Sequence, residues 1–135
     1  MNANPVDVVL EFEQRINSRN PAAIAGLLTP DSVFVDSLGS RVQGGEKLHA
    51  AWEGYFKMVP DYSVSHDEIL SRGDTVVMLG SARGTFSPDG RIHKENFWTT
   101  TAAWRAQVRD GKIALWQVFS DNEPIRAIMR RSAKE

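Results

Sequence analysis

The chain predicts an α+β fold, with helices gathered before residue 60 and an antiparallel sheet built from the residues after it. Three observations carry this. Apolar residues recur at spacings of three and four up to residue 60, the period changes to two from residue 61, and Gly- and Pro-containing turns punctuate the second half at hairpin intervals. The expected order is two helices, a strand, a third helix, a meander of four long strands and a short closing helix.

Residues 5–18, PVDVVLEFEQRINS, place Val6, Val9, Leu10, Glu13 and Ile16 on one helical face, with Pro5 suited to the first turn. In the next segment Asn20 reads as an N-cap and Pro21 as the first helical position. Ile24, Leu27 and Leu28 then share a face until Thr29-Pro30 stops the helix. The stretch 32-SVFVDSLGS-40 reads as a strand with Asp36 in register with Ser32 and Phe34, and 39-GSRVQGG-45 as a glycine-rich turn. A third helix spans 45–60, with Leu48, Trp52, Tyr55, Phe56 and Val59 facing something large and apolar.

In the meander, Tyr62, Val64, His66, Glu68 and Leu70 alternate with Ser63, Ser65, Asp67 and Ile69 before a turn at 71-SRGD-74. Strands over 75–86 and 92–108 flank 87-SPDGR-91, and 109-RDGK-112 leads into a last strand over 113–122. Glu123-Pro124 opens the final helix, which runs to residue 132. There is no internal repeat and no low-complexity segment.

Length and composition set the bounds. With 135 residues, 41% hydrophobic and 24% charged, the chain fits one domain over 1–135 with a single core. A net charge of −1 with scattered cations argues against a nucleic-acid partner. The cluster Arg126, Arg130, Arg131 and Lys134 sits where cations complement a helix C-terminus. The absence of cysteine excludes disulfides, thiolate metal sites and a Cys nucleophile. No apolar run reaches membrane-spanning length, and MNANPVDVVLEF lacks the form of a signal peptide, so no membrane partner and a cytoplasmic location are expected. The three histidines, His49, His66 and His93, are too dispersed for a metal site, and no glycine-rich phosphate loop implies a cofactor.

Asp36 is the first chemical question. A carboxylate on the apolar face of a strand costs several kcal/mol if it stays charged without a partner, or is driven to protonate. It is therefore either a pocket base or an Asx-turn residue leading into Leu38-Gly39.

The order of elements, the V-F-V-D strand and the closing hairpin "A-W-R … D-G-K-I … W-Q-V-F-S-D-N" resemble the nuclear transport factor 2-like superfamily over about residues 6–130. More narrowly, they resemble its SnoaL-like and ketosteroid-isomerase-like small proteins. The resemblance implies a cystatin-like cone: a strongly curved antiparallel sheet wrapped around N-terminal helices, open at one end on a deep apolar cavity, in a homodimer. It says little about the reaction, because that shell hosts isomerases, cyclases, dehydratases, epoxide hydrolases and plain binding modules.

The resemblance places Asp36 where ketosteroid-isomerase-like proteins carry the aspartate that moves a proton between carbons beside a ketone. It places Phe12 at the oxyanion tyrosine and Ala102 or Ala103 at the second oxyanion group, and none of these can donate. Each lost donor costs about 2.7–4 kcal/mol of transition-state stabilisation, which argues against a steroid isomerase of the familiar mechanism. The epoxide-hydrolase constellation needs an inward arginine, yet alternation sets Arg105 opposite Trp104. A dehydratase-like histidine pair with an aspartate would require His66 and His93 to meet from neighbouring strands. A cyclase-like acid with a histidine points to Asp121, or to Asp36 with His66 or His93. Asp121-Asn122 reads equally well as the start of the final helix, with Asn122 as its cap.

The four tryptophans point to a pocket. Alternation puts Trp98, Thr100, Ala102 and Trp104 on one face of the third meander strand, and Trp116, Val118 and Ser120 on one face of the fourth. The family register turns both sets inward, with Trp52, Tyr55 and Phe56 of the third helix as the expected rim and Phe12 and Phe34 as further ligand-binding candidates in the lining. Such a site suits a flat apolar ligand, unless the rings simply fill the cone. The opposite strand faces, Phe97, Thr99, Thr101, Ala103 and Leu115, Gln117, Phe119, are weakly charged and call for a cover, for which a second copy is the simplest candidate. The expected function is binding of a small hydrophobic carbonyl compound, with isomerisation or cyclisation by Asp36 as the catalytic form. A non-catalytic binding or interaction module is the alternative.

Overall fold

Asn20 starts the second helix as its sequence suggests, and Asn4 does the same for the first. Asn4 accepts from the Val6 amide at 2.9 Å ahead of α1 (Pro5–Asn17), and Asn20 accepts from the Ala23 amide at 3.1 Å ahead of α2 (Pro21–Ala25). The computed structural model describes residues 4–133, so Lys134 of the terminal cationic cluster lies outside the described residues. The remaining elements are β1 (Leu28–Val35), β2 (Arg41–Gln43), α3 (Gly45–Met58), β3 (Ser63–Arg72), β4 (Thr75–Thr85), β5 (Phe97–Arg109), β6 (Lys112–Ser120) and α4 (Glu123–Ala133).

The strands form a curved six-stranded sheet in the order β2-β1-β6-β5-β4-β3. β3 to β6 make the expected antiparallel meander. β1, arriving from the helical half, pairs in parallel with β6 and carries β2 antiparallel at the edge. The architecture is thus α+β, with α1 laid across β3 to β6. Val9, Phe12 and Ile16 of α1 are buried against Met78, Trp104 and Ile113 of the sheet.

Local differences from the sequence expectation have physical causes. α2 ends at Ala25, and Leu28, Thr29 and Pro30 belong to β1. Pro30 pushes the residue before it toward extended geometry, and Leu28 then pairs with Ile113. β2 forms inside the stretch read as a turn, because Gly39 (φ +86°) and Gly44 (φ +106°) make the bends and leave Arg41–Gln43 extended beside Val33–Val35. β5 begins at Phe97, not at residue 92. A short 3-10 turn over Lys94–Asn96 precedes it, tied to the end of β4 by Phe86 N–H to Asn96 O and Asn96 Nδ2 to Phe86 O, both 3.1 Å.

In β3 a bulge at Asp67 breaks the strict alternation. Val64 and His66 face α1, but beyond the bulge Ile69 turns inward and Leu70 lies outside, 53% exposed. A second bulge, at Ala114, lets both Ile113 and Trp116 reach the core.

Candidate functional site

A cavity of about 340 Å³ lies between α3 and the inner face of the sheet. Period-two alternation builds its floor: Trp98, Thr100 and Trp104 come from β5, with Trp116, Val118 and Ser120 from β6. Phe34 at the end of β1, Trp52 and Tyr55 on α3, and Tyr62 ahead of β3 complete an aromatic wall. Consecutive rings along that wall touch: Phe34–Trp52 at 6.1 Å, Trp52–Tyr55 at 6.4 Å, Tyr55–Tyr62 at 4.9 Å and Tyr62–Trp98 at 6.2 Å between centroids. The rest of the rim is polar and short-chained, made by Asp36, Ser37, Ser40 and Asn122.

Asp36 stands just past β1, and both readings of it have a counterpart in the geometry. Its Oδ1 accepts from the Leu38 and Ser40 amides, each at 2.9 Å, while its own amide donates to Ser40 O and its carbonyl accepts from Gly39. This is an Asx turn. Its Oδ2 has no protein partner among the described residues, and the side chain lines the cavity rim.

The other acid and the histidines lie elsewhere. Asp121 is exposed, and its Oδ1 accepts from the Glu123 amide at 2.9 Å, so it caps α4 with its side chain. Asn122, expected to be the cap, supplies only its carbonyl to Arg126. Its side chain turns into the cavity rim, donating to Ser37 Oγ and accepting from Ser120 Oγ. His66 Nδ1 pairs with Glu13 Oε2 of α1 at 2.8 Å, and His93 Nε2 with Asp89 at 3.0 Å. They hold separate partners and do not meet, and no histidine joins Asp36 at the cavity. Arg105 points outward to Gln117 Oε1 at 2.6 Å, so the inward arginine of an epoxide-hydrolase-like site is absent.

Three residues expected in the lining sit behind it. Phe12 is fully buried and packs edge-on against Trp116 at 4.8 Å, Phe56 stacks beneath Trp52 at 5.5 Å, and Ala102 is buried without reaching the cavity. A ring one layer back supports the wall but meets no ligand. Tyr62, Ala82, Ser37, Ser40 and Asn122 line the cavity without having been singled out for it. Asn122 was legible in principle, two residues beyond Ser120 on the same face. Ala82 was not, because only its pairing with Thr100 brings it under the tryptophans.

Burial raises the phenol of Tyr55 above its usual range, and burial together with nearby Tyr55 raises that of Tyr62. Both hydroxyls therefore stay protonated and able to donate. The indole N–H of Trp98 is buried with no acceptor among the described residues. Among the described residues no group of three or more His, Asp or Glu side chains is placed to hold a metal ion, and no helix is long and apolar enough to cross a membrane.

Residues 9–116 match the family of SnoaL-like domains. The chain belongs to that family. Solved structures place this SnoaL-like protein in the nuclear transport factor 2-like fold. A candidate SnoaL-like polyketide cyclase from Shewanella denitrificans superposes with a TM-score of 0.80 at 12% identity, covering 94% of this chain and 97% of its own. IdmH, a candidate polyketide cyclase from Streptomyces antibioticus, gives 0.76 at 23% identity, covering 95% and 99%. AclR, a candidate hydroxylase from Streptomyces galilaeus, gives 0.72 at 17% identity, covering 96% and 90%. At these identities the likeness is one of fold, and the differing descriptions of the neighbours illustrate how little the fold fixes the chemistry. No curated protein matches the SnoaL-like chain by sequence.

Proposed function

We propose that the cavity binds a small, largely apolar carbonyl compound and that Asp36 is the base that moves a proton next to the carbonyl. The observation that carries this reading is a carboxylate oxygen, Asp36 Oδ2, left without a protein partner among the described residues at the rim of an aromatic cavity of about 340 Å³. That volume is near the lower end for small-molecule sites and suits a ligand of two or three fused rings. In the step itself the α-C–H bond breaks, its proton passes to Asp36 Oδ2, and its electron pair forms C=C while the carbonyl pair moves onto oxygen. Where the ketone is β,γ-unsaturated, return of the proton from Asp36 to the γ carbon, with the C=C shifting into conjugation and the C=O reforming, completes an isomerisation. Where the enolate carbon attacks a second carbonyl, that carbonyl's π pair moves onto its oxygen, which takes the proton from Asp36, and a cyclisation is complete. The candidate cyclases among the structural neighbours support this class of chemistry for the family.

The test uses 2-tetralone, a two-ring enolisable ketone. Calorimetry should show one site per chain, and NMR in heavy water should show α-deuterium exchange faster than in buffer alone. Plugging the mouth should abolish both. Ala51 is exposed on α3 and lines the cavity, so Ala51→Trp should remove 2-tetralone binding while leaving the melting temperature near wild type. Binding that survives this substitution would place the ligand elsewhere.

A binding module without catalysis is favoured by the Asx turn, which gives Asp36 a structural reason to exist. Binding of 2-tetralone with no accelerated exchange would select it. For quaternary structure, Phe97 and Phe119, 51% and 49% exposed on the outer sheet face, support pairing of two copies through that face. Phe119→Glu should then shift the sedimenting species from dimer to monomer, and an unchanged mass would remove the proposal.

A further inference from the structure

Proton abstraction beside a carbonyl leaves negative charge on the carbonyl oxygen, and a site for that reaction needs hydrogen-bond donors aimed at it. Most polar groups of the cavity are already committed. Thr100 Oγ donates to Asp121 O at 2.9 Å, Ser120 Oγ to Asn122 Oδ1 at 3.3 Å, and Asn122 Nδ2 to Ser37 Oγ. The Leu38 and Ser40 amides are both spent on Asp36.

Two phenol donors on the aromatic wall are free. Tyr55, from the last turns of α3, and Tyr62, from the connection to β3, both line the cavity with ring centroids 4.9 Å apart and interplanar angle 84°. Neither hydroxyl has a protein partner among the described residues. Neither is sealed, because the buried polar side-chain atoms without a partner are Ser32 Oγ, Ser87 Oγ and Trp98 Nε1. The pair is rigidly placed. The Tyr62 amide donates to Val59 O at 3.2 Å, the Val59 amide to Tyr55 O at 2.7 Å, and the Tyr62 ring rests on Trp98. A phenol that a ligand can reach and that lacks a protein partner among the described residues is a donor available to an acceptor oxygen.

We propose that Tyr55 and Tyr62 form a paired-donor subsite for an anionic ligand oxygen, an enolate or a phenolate, whose carbon skeleton lies against Trp98 and Trp52. This rests on the reading of the cavity as the ligand site and names the orientation within it: oxygen toward the two tyrosines, reacting carbon toward Asp36. Burial supports it by keeping both hydroxyls protonated above neutral pH. It also makes aromatic compounds bearing an acidic phenol a chemical class that the site should retain.

The experiment titrates the full chain with 4-nitrophenol, which ionises near neutrality, and with 4-nitroanisole, which cannot ionise. The wild type should prefer the phenolate, so that the visible absorption of bound 4-nitrophenol persists to lower pH than in free solution. Tyr55→Phe and Tyr62→Phe should each weaken phenolate binding about tenfold or more, the range for a hydrogen bond to a charged group, and leave 4-nitroanisole unchanged. Both substitutions keep the ring and remove a hydroxyl that bonds nothing in the protein, so folding is retained. The absorption shift of the wild type is a second readout that needs no variant.

If 4-nitroanisole binds and neither substitution discriminates the probes, the donor pair is refuted while the cavity reading stands. A response from one tyrosine alone also overturns the pair. If neither probe binds the wild type, the cavity reading and the subsite fall together.

Discussion

Asp36→Asn should slow α-deuterium exchange of bound 2-tetralone by about 10²–10⁴-fold, the range ascribed to a positioned general base, without weakening binding. The substitution isolates the charge. An asparagine side-chain oxygen can accept the same Leu38 and Ser40 amides that now hold Oδ1 at 2.9 Å, so the turn at the cavity rim should persist. The change is confined to the Oδ2 position, where a proton acceptor becomes an amide NH₂ that cannot take up a proton. Asp36→Ala removes the turn contacts as well and should cost about 1–2 kcal/mol of stability, comparable to losing a helix cap. A rate that falls only in the alanine variant would mean that Asp36 acts by shaping the rim, and an unchanged rate in both would move the base elsewhere.

Gly80→Ala should destabilise the chain by about 3 kcal/mol, the upper part of the range for overpacking. A Cβ at residue 80 would sit 1.9 Å from the Ser65 carbonyl oxygen, 2.7 Å from His66 Cα and 2.8 Å from the Ser65 carbonyl carbon. All three are backbone atoms, so relief requires β3 to shift at the bulge that re-aims its side chains, and His66 to move from Glu13. For a chain of this size the loss corresponds to roughly 10 °C in melting temperature by thermal denaturation. Gly54 is the control. It is exposed within α3, a Cβ there meets nothing within 4 Å, and Gly54→Ala should stabilise by about 0.5–1 kcal/mol. Equal effects at the two glycines would mean that the β3–β4 approach is softer than its geometry implies.

The parts of the site written in a single strand were legible in the sequence. Trp98, Thr100, Trp104, Trp116, Val118 and Ser120 face the cavity because alternation along β5 and the distal half of β6 is unbroken, and pleating needs no tertiary information. The limits of that rule show at the bulges. Leu70 falls on the outer face because Asp67 adds one residue to β3, and one added residue exchanges the faces of everything beyond it. The rule also does not say how deep an inward residue lies. Ala102 shares a face with Trp98 and Trp104 yet is buried away from the cavity, and Phe12 faces inward but packs edge-on against Trp116 behind the lining.

The sequence by itself determined the α+β class, the long strands of the meander, the extent of α1 and α3 and the aromatic character of the cavity. The first three come from periodicity, caps and turns that act within a few residues, and the last from the family resemblance that turned the tryptophan faces inward. Only the tertiary structure decided which polar groups share the cavity. Asp36 meets Asn122 through Ser37, Tyr55 meets Tyr62 at the foot of α3, and His66 is claimed by Glu13, 53 positions away in the chain. Hydrogen-bond partners and burial depend on which surfaces the folded sheet brings together. The same aspartate or histidine in the same local sequence can cap a helix, close a turn or face a ligand, and the long-range packing of β1 beside β6 and of α1 across the sheet selects among them.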